Sequence, residues 1–257
     1  MARGVNHFAQ FFAGDEAKYA LIGGVPTVLL LEENGLVSRG TKDLDVVLCI
    51  EALTPDFGRK LWSYIEQGGY AIREQGPEPH RFYRFIKPTN SEFPQMLEFF
   101  AREPGFAPLA DGAQLTPVPL GEAVASLSAI LLDVDYYAFI HAHKRVLDGL
   151  SIVSEVCLIP LKARAWLDLS ARKAAGEPVD EDDIRKHRKD VIRLSQLLST
   201  DAQTQLPRVI AADLDRFLAA LEADLTPQQL KNLTVSGSSP AELTTRIRTS
   251  FGLASHG

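Results

Sequence analysis

Up to Val153 the chain alternates short apolar runs with polar loops. The runs are "KYALIG", "LDVVLCI", "YAIRE", "RFYRFIK", "QMLEFFA" and "DYYAFIHAHKRVLDGLSIV". Their brevity and their β-branched and aromatic content predict strands. The last is read as a hairpin turning at Asp148-Gly149. Two helices are predicted among them. One opens after Gly23-Gly24, with Pro26 in a first turn where a missing N–H costs nothing. The other is "PDFGRKLWSYIEQGG", where Phe57, Leu61, Tyr64 and Ile65 share a face and Gly68-Gly69 end it.

From about Ser154 the apolar period lengthens to that of helices. "LIPLKARAWLDLSARKAAGE" sets Leu158, Leu161, Ala165, Leu169 and Arg172 near one stripe and stops at Gly176. "EDDIRKHRKDVIRLSQLLS" begins with acids that suit a helix N-terminus. "LPRVIAADLDRFLAALEA", "TPQQLKNL" and "SPAELTTRIRTSF" follow. The expected class is α+β: a mixed β-sheet core with flanking helices over 1–153, then a helical domain over 154–257.

Composition narrows the class of protein only a little. The 257 residues are 46% apolar and 23% charged, as in ordinary globular chains, and suffice for one large domain or two modest ones. A formal net charge of −6 excludes a global basic field of the kind that marks nucleic-acid binders, though not a local patch. Cys49 and Cys157 sit in apolar runs and read as core residues of a reducing compartment. No run is long enough to span a bilayer, and the N-terminal stretch lacks an apolar signal region. A cytoplasmic protein without membrane contact is expected.

Candidate chemistry lies in "YALIGGVPTVLLLEENGLVSRGTKDLDVVLCI". Asp43 and Asp45 alternate with apolar residues at a strand entry, so both carboxylates project from one face, about 6–7 Å apart. Two such oxygens suit Mg²⁺, or Mn²⁺, a hard cation that takes its remaining ligands from water and substrate phosphates. Gly23 and Gly24 end the preceding strand and open a helix. There, missing side chains and the helix dipole let backbone amides approach phosphate. Separately, a surface D-x-D pair is usually solvated and a Gly-Gly is usually a turn. In this order they describe a metal–polyphosphate site. Asp133 and Asp135 make a second D-x-D without a preceding glycine turn, read as a strand entry or turn.

The order strand, Gly-Gly, helix, Asp-x-Asp strand resembles the DNA polymerase β-type nucleotidyltransferases. "GG" followed by "RGTKDLD" is similar to the AbiEii-like toxin branch of toxin–antitoxin systems. Gly24 stands where many members carry a phosphate-contacting serine, and the Gly24-to-Asp43 spacing exceeds the compact form. The resemblance implies a Mg-dependent enzyme moving NMP from an NTP to an acceptor: a tRNA end, a protein or a small molecule. It also implies an antitoxin partner. In that motif Gly23, Gly24, Arg39 and Thr41 would contact nucleotide. A third acid would stand on a neighbouring strand, and Glu98, alone inside apolar Met96 to Phe100, is the candidate. Burying such a carboxylate unpaired costs several kcal/mol, so an inward Glu98 calls for a cation.

The resemblance extends into the helical half. There Lys162 would neutralise triphosphate charge, and Asp183 or Asp190 would orient the acceptor or Lys162. Arg185, Lys189 and Arg193 recur every fourth residue as a basic ribbon able to follow an RNA backbone. The plain reading of Lys162 is a surface lysine with a buried stem, and of the ribbon a solvated face. His141 and His143 form H-x-H on an expected strand without an evident third ligand, and "HRFYRF" alternates as a half-buried strand does. The rival reading is a catalytically inactive module on the same scaffold that binds nucleotide or a protein partner. An inward Glu98 beside the aspartates favours catalysis.

Overall fold

The computed structural model describes residues 3–38, 40–75, 82–100, 133–199, 202–233, 235 and 239–254. Its architecture is α+β, with a mixed sheet flanked by helices and a helical C-terminal region. The described strands are β1 (Tyr19–Ile22), β2 (Asp43–Leu48), β3 (Ala71–Gln75), β4 (Phe82–Ile86), β5 (Met96–Phe100), β6 (Lys144–Leu147) and β7 (Leu150–Val153). They form one sheet in the order β3-β4-β5-β2-β1-β7-β6. β2/β5 and β1/β7 pair in parallel and the remaining neighbours antiparallel.

The chain divides into two compact units. One holds the sheet: the described residues up to Phe100, with Ile140–Ser154. The other is helical: residues 133–139 with those from Glu155 onward.

In the sheet unit, α1 (Val5–Phe11), α2 (Gly24–Glu33) and α3 (Pro55–Gly68) accompany the strands. β1 is buried along its whole length, as befits an apolar strand in the middle of a sheet. α2 is buried from Gly24 through Leu31, which explains its nearly all-apolar sequence. α3 buries Phe57, Leu61, Tyr64 and Ile65. The Thr54 hydroxyl caps its start, and Gly69 at φ 58° ends it. The sequence reading did not anticipate α1. Its Phe8 packs edge-on against Tyr19 and Tyr64 at ring centroids of 5.5 and 5.6 Å, anchoring an aromatic core. Truncating such a buried ring to alanine costs about 3–5 kcal/mol.

The stretch read as one long hairpin divides differently. Val134–Ala142 is a helix, α4, and only Lys144–Val153 forms the hairpin, turning at Asp148-Gly149 with φ of 51° and 74°. Asp133 accounts for the difference. Its Oδ1 accepts the backbone N–H groups of Asp135 and Tyr136 at 2.8 and 3.3 Å, a helix-start cap. The second D-x-D is therefore a cap, and His141 lies on a helix. A continuous apolar run such as "YYAFI" has no period with which to separate helix from strand.

The helical unit continues with α5 (Glu155–Ala174), α6 (Glu181–Leu194), α7 (Arg208–Asp224), α8 (Pro227–Asn232) and α9 (Pro240–Ser250). Reciprocal capping boxes start α8 (Thr226/Gln229) and α9 (Ser239/Glu242). Within this unit Tyr136 donates to Asp213 at 3.0 Å, and Arg164 meets the same carboxylate at 3.0 Å. Among the described residues no helix is long and apolar enough to cross a membrane.

Candidate functional site

The two glycines are explained by what stands against them. Gly23 ends β1 at φ 75°, ψ −131°, a conformation that essentially requires glycine. A Cβ there would fall 1.9 Å from Asp45 Oδ2. A Cβ on Gly24 would fall 2.4 Å from Thr41 Oγ1. The antiparallel register sets Ile22 opposite Asp45, bringing the carboxylate to the turn at the start of α2. The helix N-terminus, with its unspent amides and positive dipole end, thus opens beside Asp45. Gly23, Gly24, Thr41 and Asp45 are brought together. Arg39 lies outside the described residues.

Asp43 and Asp45 are half-exposed and flank buried Leu44, so both lie on the less buried face of β2. On the parallel neighbour, Glu98 stands in register with Asp45, while Met96 stands opposite Asp43. Glu98 points inward and is buried to 6% exposure. Burial, before all else, raises its carboxyl well above the usual glutamate range. The Asp45 charge and a hydrogen bond to Asp45 push the same way. These two acids repel each other when both are ionised, which is the electrostatic condition that a divalent cation relieves.

The far side of Glu98 holds a residue the sequence reading passed over. Arg84 on β4 is Glu98's antiparallel partner, and its Nε donates to Glu98 Oε1 at 2.6 Å. It opposes the upward shift without cancelling it. "HRFYRF" gave no sign of this, because cross-strand partnership depends on register and not on local pattern.

The donor set is chemically suited to Mg²⁺: hard carboxylate oxygens on adjacent strands, beside a helix start. Among the described residues no three His, Cys, Asp or Glu side chains already converge as a complete ligand set. Asp45 and Glu98 are the pair that could hold a cation with water completing its shell, while Asp43 stands one repeat along β2. That is how Mg²⁺ is usually bound.

The remaining candidates belong to the helical unit. Lys162 on α5 is buried, and its Nζ donates to Asp190 Oδ2 on α6 at 2.8 Å. It is not a surface lysine. Of the two aspartates left open by the sequence, Asp190 is the one that meets Lys162; Asp183 lies in the first turn of α6. Arg185 pairs with Asp182 and Glu181 on its own helix. Lys189 is exposed. Away from these, burial and then Lys144 push the His141 imidazole down to about 4, so it is neutral near pH 7.

No family model and no curated protein matches the chain. Among solved structures it is similar to the antibiotic-resistance factor ANT(2'')-Ia, studied in solution. The match covers 88% of this chain and 94% of that one, at a TM-score of 0.36 and 14% identity. Likeness at that level carries no argument about the site, which rests on its own geometry.

Proposed function

We propose that the chain is a nucleotidyltransferase, moving NMP from an NTP to an acceptor hydroxyl. One observation carries the reading: the Gly23 turn touches Asp45, and Asp45 stands in register with an inward Glu98. Helix-start amides and a pair of carboxylates that wants a cation thereby share one corner of the sheet.

In this reading Gly23 and Gly24 admit the triphosphate to the N-terminus of α2. The Thr41 hydroxyl, against the bare Cα of Gly24, stands in for the serine of the Gly-Ser form. Asp43, Asp45 and Glu98 would hold Mg²⁺, which when bound neutralises charge on the transferred phosphoryl group and the leaving pyrophosphate. Asp43 and Asp45 orient the triphosphate. The acceptor oxygen forms its bond to the α-phosphorus as the bond to pyrophosphate breaks. Glu98 Oε, once ionised, is placed to receive the acceptor's proton. Arg84 fixes the rotamer of Glu98 and supplies local positive charge. Lys162 and Asp190, as a neutralised pair, act as a positioning element of the helical unit.

In this reading the enzyme is an AbiEii-like toxin with an antitoxin, and its acceptor is a tRNA end, a protein or a small molecule. One observation favours the inactive, nucleotide-binding alternative, namely that Arg84 already engages Glu98. The deciding experiment incubates the protein with each α-labelled NTP, Mg²⁺ and total tRNA. Label should appear in RNA or protein for the wild type and vanish in Asp45→Ala, with the circular-dichroism spectrum unchanged. Nucleotide binding without transfer, repeated with a small-molecule extract added as acceptor, selects the inactive module. Transfer by Asp45→Ala removes the assignment.

A further inference from the structure

The helical unit contains a second concave site, on the side of α6 that faces α8. The cavity measures about 330 Å³, at the lower end of the range typical of small-ligand sites. Four cations line it: Arg185, Arg188, Lys189 and Arg193. Ile192, buried, forms part of an apolar floor. At about 1.5 Å rise per residue, Arg185, Lys189 and Arg193 stand about 6 Å apart in sequence along the helix, an extended positive rail.

The charge balance singles this rail out. Arg185 is answered by Asp182 and Glu181. Arg188 reaches Asp224 only at 3.9 Å. Lys189 and Arg193 have no ion pair among the described residues. Like charges on successive turns destabilise a helix unless something relieves them. This happens on a chain whose formal net charge is −6.

The facing amides are arranged the same way. Gln229 Oε1 already accepts from the Thr226 N–H at 3.0 Å and from Arg188 at 3.4 Å. Asn232 Oδ1 accepts from Gln228 at 3.0 Å. Both side chains line the cavity with their oxygens engaged, which leaves their NH₂ groups as donors. Cations and donors with an apolar floor select an anion with oxygens in a row.

We propose that this groove binds a ligand carrying consecutive phosphates, held by Lys189, Arg193 and Arg188 and by the amides of Gln229 and Asn232. Those phosphates can belong to a free polyphosphate or nucleotide, or to successive positions of a nucleic-acid strand. The chemistry of recognition is the same. The site does not rest on the transfer reading and lies apart in sequence from the acidic residues of β2 and β5.

The test measures equilibrium binding of inorganic tripolyphosphate, ATP and a short single-stranded RNA in EDTA, at low and high salt. Wild type should bind at least one probe with an affinity that falls as salt rises. The double variant Lys189→Ala/Arg193→Ala should lose tenfold or more, and Arg59→Ala, an exposed cation of α3 outside the groove, should bind like wild type. Lys189→Glu, a single exposed change, should show the same loss and guards against misfolding of the double variant. Binding of tripolyphosphate or ATP identifies a free polyphosphate; binding of RNA alone identifies a strand. Failure of every probe to bind wild type, or equal binding by the variants, overturns the proposal.

Discussion

At Gly24 the missing side chain is filled by a neighbour: Thr41 Oγ1 lies 2.4 Å from where a Cβ would be. The hydroxyl beside Gly24 is supplied by Thr41 in the following loop. Gly24→Ser should therefore crowd Thr41 and lower the melting temperature. Adding Thr41→Ala should return part of the stability, since the second change removes the atom in conflict. Thermal melts on both variants check this; additive losses in the double variant would contradict it. The motif was legible in the sequence as two glycines and two aspartates. The reason for the second glycine was not, because Thr41 is seventeen positions away and meets it only through the fold.

The pair of helices α5 and α6 supplies the clearest element-scale case. Lys162 and Asp190 form an ion pair whose side chains are 4% and 1% exposed. Removing one partner leaves an uncompensated buried charge, at a cost of about 3–5 kcal/mol. Lys162→Ala should lose stability of that order in urea titration. Lys162→Met combined with Asp190→Leu should lose much less, because no charge is stranded. Equal losses in the two would show that packing, not charge, dominates. The sequence placed Lys162 beside an apolar stripe and left two aspartates open. Helical period cannot tell which acid on the next helix lies opposite, since that depends on how the two helices pack.

For the molecule as a whole, two properties follow from how the chain is partitioned. Residues 133–139 group with the helical unit, where Tyr136 is buried and bonded to Asp213. A fragment starting at residue 133 should therefore be more stable than one starting at 154 by the worth of a large buried aromatic, about 3–5 kcal/mol, and should melt higher. Circular-dichroism melts compare them, and equal melting would remove this role for α4. The second property is acid sensitivity. His141 has a depressed folded value, about 4, against an ordinary value of 6.5. Its neutral form is the one the fold accommodates. That contribution is complete above pH 6.5 and is lost as pH falls toward 4. His141→Phe should flatten the stability curve across that window, read from denaturant midpoints at stepped pH. An unchanged slope would show that other groups set it.

Local pattern alone determined where the apolar runs fall, which glycines punctuate them and that two carboxylates share one face of a strand. These depend on residues a few positions apart, and periodicity and turn chemistry report them directly. Only the tertiary structure decided that Val134–Ala142 is a helix and that Thr41 fills the space at Gly24. It also decided that Glu98 lies between Asp45 and Arg84, and that Lys162 is spent on Asp190. Each of these turns on a cap, a register or a packing partner. Such choices are settled by the free energy of burial and pairing over the assembled chain, which no short window of sequence contains.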